Sequence, residues 1–174
     1  MRHAVLAIMC VAATAASVSA QNILDPPAPS RTVNLSGPRF GLTALSTGVV
    51  DELRKREIDV GSNISQFGWQ FEKEFYGGKG STVAAINEWV LLFGGLEQGV
   101  ALPSLSWLVG LRTRDGAEFG VGPNVTAAGV ALAIAGGVTF RAGNLNVPMN
   151  VAFVPSKAGS RVSVLTGFSM KRHR

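Results

Sequence analysis

Cysteine is almost missing from this sequence. Its 174 residues contain one, Cys10, and only two histidines, His3 and His173. A fold stapled by disulfides is therefore excluded. Ser-His-Asp or His-metal chemistry would need His173, at the basic C-terminus, to fold into a site. Charge is also scarce, at 16% of residues, beside 47% hydrophobic residues. That balance is the reverse of a disordered chain, which has low hydrophobicity and high charge. Aromatics make up 7%, with a single tyrosine. Past the first 20 residues no continuous apolar run reaches the ~20 residues of a spanning helix. If the protein crosses a membrane, it does so as a closed barrel. The length suits one domain.

Residues 1–20 read as a secretory signal. Arg2 and His3 open it, an apolar stretch runs from Ala4 to Ala16, and Val18-Ser19-Ala20 supplies the small residues before a cleavage point. The bulky Met9 before Cys10 argues against a lipoprotein acceptor. Without this segment, 15 basic and 11 acidic residues remain, and no cysteine. Residues 21–38 carry Pro26, Pro27, Pro29 and Pro38 and read as an extended leader;. The folded domain is expected from residue 39 to 174.

A short helix is expected after Leu45, with Thr47 as its cap and Val49, Val50 and Leu53 on one face;. Asp51 and Glu52 fall near its start and Arg54, Lys55 and Arg56 near its end, an order that suits the helix dipole;. The remainder is broken by turn signals, among them Gly77-Gly78-Lys79-Gly80, Gly94-Gly95, Asp115-Gly116, Gly122-Pro123-Asn124 and Gly143-Asn144. Runs of period two lie between them, predicting strands at 39–45, 64–76, 82–93, 99–113, 117–122, 127–141, 145–154 and 161–170. The predicted fold is all-β: an eight-stranded antiparallel up-and-down barrel with one short helix in the first long loop. Pro103 and Pro148 fall inside strands and call for bulges.

The two faces differ in chemistry. Phe67, Trp69, Phe71 and Phe75 alternate with Gln66, Gly68, Gln70, Glu72 and Glu74. Later runs set Leu132, Ile134, Phe140, Val151, Phe153 and Phe168 against Gly, Ala, Ser, Thr and Asn. Period two alone leaves two arrangements: apolar face inward, as in a soluble lipocalin-like carrier of an apolar ligand, or apolar face toward lipid. A water-facing surface should be rich in charge. Between Gly129 and Met170 only Arg141, Lys157 and Arg161 are charged. Small polar residues suit the narrow lumen of an eight-stranded barrel. The expected lipid-facing or interfacial aromatics are Phe67, Trp69, Phe71, Trp89, Trp107, Phe140, Phe153 and Phe168, in keeping with the preference of tryptophan for membrane interfaces.

The expected lumen charge network comprises Arg39, Glu72, Glu74, Glu88, Arg112, Glu118 and Arg141. Paired carboxylates can act as general acid and base or bind a divalent cation. Mutual neutralisation with inward arginines is the expected arrangement, because buried unpaired charge is costly. No Gly-rich turn has the strand, helix and Lys-Ser/Thr order of a phosphate loop. Arg54-Lys55-Arg56 and Lys171-Arg172-His173-Arg174 are too small as patches for nucleic acid. Contact with lipid phosphates is physically sensible, but a solvated helix face and a frayed tail are the expected readings. Sequons at Asn34, Asn63 and Asn124 are read as chance.

With its signal segment, Ile64-Ser-Gln-Phe-Gly-Trp-Gln-Phe-Glu72, Glu118-Phe-Gly-Val-Gly-Pro-Asn124 and the closing run Arg161–Met170, the chain resembles the small eight-stranded outer-membrane β-barrel proteins of diderm bacteria. The resemblance covers roughly Pro38 to Met170. It implies a place in the outer membrane, membrane lipid as partner, and the barrel-assembly machinery as partner during biogenesis. It implies no activity and no cofactor. It also implies periplasmic termini, an outward first loop at about 46–63, and a C-terminal aromatic; here Phe168 is followed by six more residues. The alternative location is periplasmic or secreted and soluble.

Overall fold

The computed structural model describes residues 34–76 and 82–170. The predicted signal, most of the leader, the Gly77–Gly80 turn and the tail after Met170 lie outside the described residues. Strands β1 (Gly37–Leu45), β2 (Asn63–Tyr76), β3 (Val83–Gly94), β4 (Leu102–Thr113), β5 (Ala117–Thr126), β6 (Gly129–Ala142), β7 (Leu145–Ser156) and β8 (Gly159–Gly167) each pair antiparallel with their sequence neighbours. Pairing of β1 with β8 closes the sheet, as Gly41 against Leu165 shows. The result is an eight-stranded up-and-down barrel with one helix, α1 (Thr47–Arg54), in its first loop. A two-residue strand, β9 (Ser169–Met170), continues along β7.

Close curvature depends on inward glycines. A Cβ on Gly68 would overlap the carbonyl oxygen of Leu91 on β3, and one on Gly122 would overlap that of Trp107 on β4. Only glycine allows neighbouring backbones to approach in this way.

Prolines interrupt the ladders without shifting them. The β4–β5 pairs Ser106 with Asn124 and Val109 with Val121 keep one register across Pro123, and the two rungs between them are unpaired. Likewise Met149 pairs with Thr166 and Asn146 with Ser169 in a single register across Pro148. The break at Phe168 between β8 and β9 lies opposite Val147, the residue before this proline. Pro103 pairs with Phe93 in an unbroken β3–β4 register. Lacking an N–H, a proline cannot donate to the ladder, but the flanking rungs hold the alignment, so the bulges expected from Pro103 and Pro148 do not form. The one register shift within a described pairing lies on β2, between Glu74 and Tyr76.

Several boundaries need correction: the run 99–113 begins only at Leu102, and the run 161–170 starts at Gly159 and is broken at Phe168. Gly122-Pro123-Asn124, read as a turn, lies within β5, which runs to Thr126 and turns at residues 127–128. Pro38, assigned to the leader, lies in β1 and pairs with Trp69. It is tolerated there because β1 meets β8 only from Arg39 onward.

Helix α1 closes one end of the barrel. Its buried Val49, Val50 and Leu53 pack with Leu45, Val60, Ile64 and Leu102. The residue preceding the helix is Ser46 rather than Thr47, and its hydroxyl accepts the Ser160 amide at 3.0 Å instead of capping the helix. Because the helix starts at Thr47 and ends at Arg54, its first turn holds no acid. Asp51 and Glu52 pair instead with Arg54 and Arg56 along the exposed face, at 3.0 and 3.2 Å.

The loop between β3 and β4 is tied to the stretch after the helix. Glu97 accepts the Ser65 amide at 2.8 Å and also its hydroxyl. Gln98 accepts the Gly61 amide at 2.6 Å and donates to the Asn63 carbonyl at 2.8 Å. The Ser65 hydroxyl and then its amide hold the Glu97 carboxyl down to about 2, from an ordinary 4.5. A depressed carboxylate stabilises its contact fully above the ordinary value and loses it as pH falls through the lowered one. The Ser65 amide resonance should therefore titrate near 2, and a midpoint at 4.5 would contradict the clamp.

Candidate functional site: a plugged lumen and an apolar outer face

Alternation sends one side chain of each pair into the lumen. On β2, Gln70 and Glu72 are buried while Phe67, Trp69 and Phe71 are exposed. Glu72 lies directly opposite Glu88 on β3, and Arg112 on β4 directly opposite Glu118 on β5. Two carboxylates facing each other across a strand pair repel, and the guanidinium of Arg112 offsets this. Its Nη1 and Nη2 donate to the two oxygens of Glu72 at 2.5 and 2.6 Å. Its Nε donates to Glu118 at 2.8 Å, and Nη2 lies 3.4 Å from Glu88. Arg112 is 3% exposed, so these contacts act away from water. A bidentate arginine–carboxylate pair is the strong, directional form of this interaction.

Neutral amides extend the network. Gln70 donates to Glu88 at 2.6 Å, and its oxygen accepts from Arg39 Nε at 3.0 Å. Asn150 on β7 donates to the second oxygen of Glu118. Arg39 also donates to the Leu35 carbonyl at 2.6 Å, while Asn34 and Ser36 bond the backbone of Glu72. The end of the predicted leader thus lies along β2 and closes the lumen opposite α1, with Leu35 fully buried.

Five of the seven predicted network residues meet: Arg39, Glu72, Glu88, Arg112 and Glu118. The other two do not, and this is a correction. Glu74 has the inward phase but sits one step nearer the rim, partly exposed, with no ion pair among the described residues. Arg141 is exposed at the end of β6, where it donates to the Arg114 carbonyl at 2.8 Å. Alternation fixes which face a side chain occupies, and height along the barrel decides whether it is buried.

Sequence reading missed Gln70 and Asn150 as bridges, and it placed Arg161 at a strand end. Arg161 is 8% exposed, inside the lumen near α1. Its Nη1 donates to Thr126 Oγ1 at 2.6 Å and Nη2 to Asn124 Oδ1 at 2.9 Å. The inward phase of Gln70 and Asn150 was readable, but that of Asn124 was hidden by taking Gly122-Pro123 for a turn.

Every strand contributes to the outer face. Phe67 is 50% exposed, Leu132 51% and Val151 49%. Trp69, Phe71, Trp89, Trp107, Phe140, Phe153 and Phe168 are also exposed. Trp89 stacks on Trp107 with ring centroids 5.7 Å apart, and Trp107 Nε1 donates to Asn87 at 2.8 Å. Among the described strand positions that point outward, Lys73 alone carries a charge.

Searches of protein-family models, curated proteins and solved structures find no match. The functional reading therefore rests on the barrel's own geometry and chemistry. Among the described residues, no group of three or more His, Cys, Asp or Glu is arranged to hold a metal ion. The three lumen carboxylates are directed onto a guanidinium instead.

Proposed function

We propose that this protein is an outer-membrane β-barrel of structural or interaction type, working in envelope integrity or surface contact. One observation carries the reading: large apolar side chains cover the outer face of the closed sheet, while Arg39, Glu72, Glu88, Arg112, Glu118 and Arg161 are buried in its lumen. In water such a surface is a far larger apolar patch than soluble monomers expose. In lipid it is the matching surface, and closure leaves no unpaired sheet edge. Ten residues tilted about 45° rise roughly 24 Å, close to the ~25 Å apolar band of such barrels. Trp89, Trp107 and the outward Lys73 are types suited to headgroup contact.

In the resembled family's orientation, the described turns at 114–116 and 143–144 lie on the periplasmic side with the start of β1 and the end of β8. Helix α1 then lies on the outward side. Lumen plugging by the Arg112 network and by α1 favours integrity or surface contact over a minor pore. Membrane lipid is the standing partner, and the barrel-assembly machinery a transient one.

Fractionation tests this. Protein made with its own first 20 residues should sediment with outer membranes, resist alkaline wash and need detergent for release. Recovery in the aqueous supernatant would overturn the proposal and return the carrier reading.

A further inference from the structure

The lumen holds a cavity of about 90 Å³ between the Arg112 network and α1. Its wall mixes polar groups, among them Arg161, Ser106, Ser163 and Glu88, with apolar ones, among them Ala133, Ala152 and Val154; Val154 is the direct cross-strand partner of Arg161, and Ala152 that of Ser163. Arg161 differs from Arg112 in one respect. Its terminal nitrogens are held by neutral oxygens, those of Thr126 and Asn124, and no carboxylate among the described residues lies within 4.0 Å. Asn124 is itself fixed, because its Nδ2 donates to Ser104 and Ser106, each at 2.9 Å. Arg161 Nε has no hydrogen-bond partner among the described residues, although the side chain is more than nine-tenths buried. The guanidinium is thus oriented but not neutralised, and a buried charge without a counter-charge is costly.

We propose that this cavity binds a small monovalent carboxylate. Its charged end would accept Arg161 Nε–H beside the Ser163 hydroxyl, and its apolar end would rest on Ala133 and Ala152. Size selects the class. A dry cavity of about 150 Å³ takes a six-carbon ring, so this one suits a ligand of about four heavy atoms, the size of acetate. A fatty acid is too large. The site involves only lumen residues and does not depend on the reading of the outer face.

The test uses the refolded barrel in detergent, titrated with sodium acetate at constant ionic strength, with sodium chloride as the exchanged salt. Acetate at ~100 times its dissociation constant should lower the unfolding equilibrium constant about hundredfold. Its carbon-13 line should broaden on adding protein. Arg161→Gln should abolish both effects, and so should Ala152→Leu, which fills the cavity and leaves Arg161 in place. Equal protection of wild type and Arg161→Gln would overturn the proposal, as would protection by chloride as strong as by acetate. If Arg161→Gln does not fold, Ala152→Leu decides: unchanged broadening would overturn the site, and lost broadening would support it.

Discussion

Replacing Arg112 by methionine should destabilise the barrel by about 3–5 kcal/mol, the usual effect of removing one partner from a buried ion pair. The effect is large because Arg112 serves three carboxylates together. Glu72 is held through both oxygens at 2.5 and 2.6 Å, Glu118 at 2.8 Å, and Glu88 is within 3.4 Å. Methionine matches much of the volume and none of the charge. Glu72 and Glu88 would then face each other across the strand pair with only Arg39 nearby, itself linked to Glu88 through Gln70. Arg112→Lys should fall between wild type and Met, since an ammonium keeps the charge but lacks the planar fork. Urea unfolding of the detergent-solubilised barrel, followed by Trp fluorescence, measures both variants. An unchanged midpoint for Arg112→Met would mean that the network does not stabilise the fold.

Much of this arrangement was readable from local pattern. The alternation of Phe67, Trp69 and Phe71 with Gln66, Gly68, Gln70 and Glu72 is a property of one strand and needs no partner to be seen. So is the poverty of charge between Gly129 and Met170. Which inward residues actually touch is set by register between strands. Register depends on hairpin geometry that period two does not encode. Glu74 and Arg141 show this: their phase agreed with the lumen, but their height put them at a rim. Local turn chemistry misled in the opposite direction at Gly122-Pro123. That pair looks like a turn, yet it lies inside β5 because the β4–β5 ladder can skip two rungs and keep its alignment. The same error moved Asn124 out of the lumen and so concealed the neutral clamp on Arg161.

The outer face gives the second large effect, and a pattern that separates lipid from water. Val121 is near the middle of β5, with Val109 on β4 and Ile134 on β6 as its direct partners, all three exposed. Val83 is also exposed, at the first position of β3. In a bilayer, arginine on the lipid face costs about 2–4 kcal/mol at the midplane and falls to about 0–1 kcal/mol near the interfaces. Val121→Arg should therefore be severely destabilising in liposomes and Val83→Arg nearly silent. In water no such gradient exists, because both positions would meet solvent and a surface substitution changes stability by about 0.5 kcal/mol or less. The informative quantity is thus the difference between the two variants rather than either value. Reversible unfolding from phospholipid vesicles supplies it. A gradient near zero would remove lipid from the account of the outer face. A gradient of about 2 kcal/mol or more would mean that depth in a bilayer governs these positions, since the two share exposure, secondary structure and apolar character and differ chiefly in their height along the barrel.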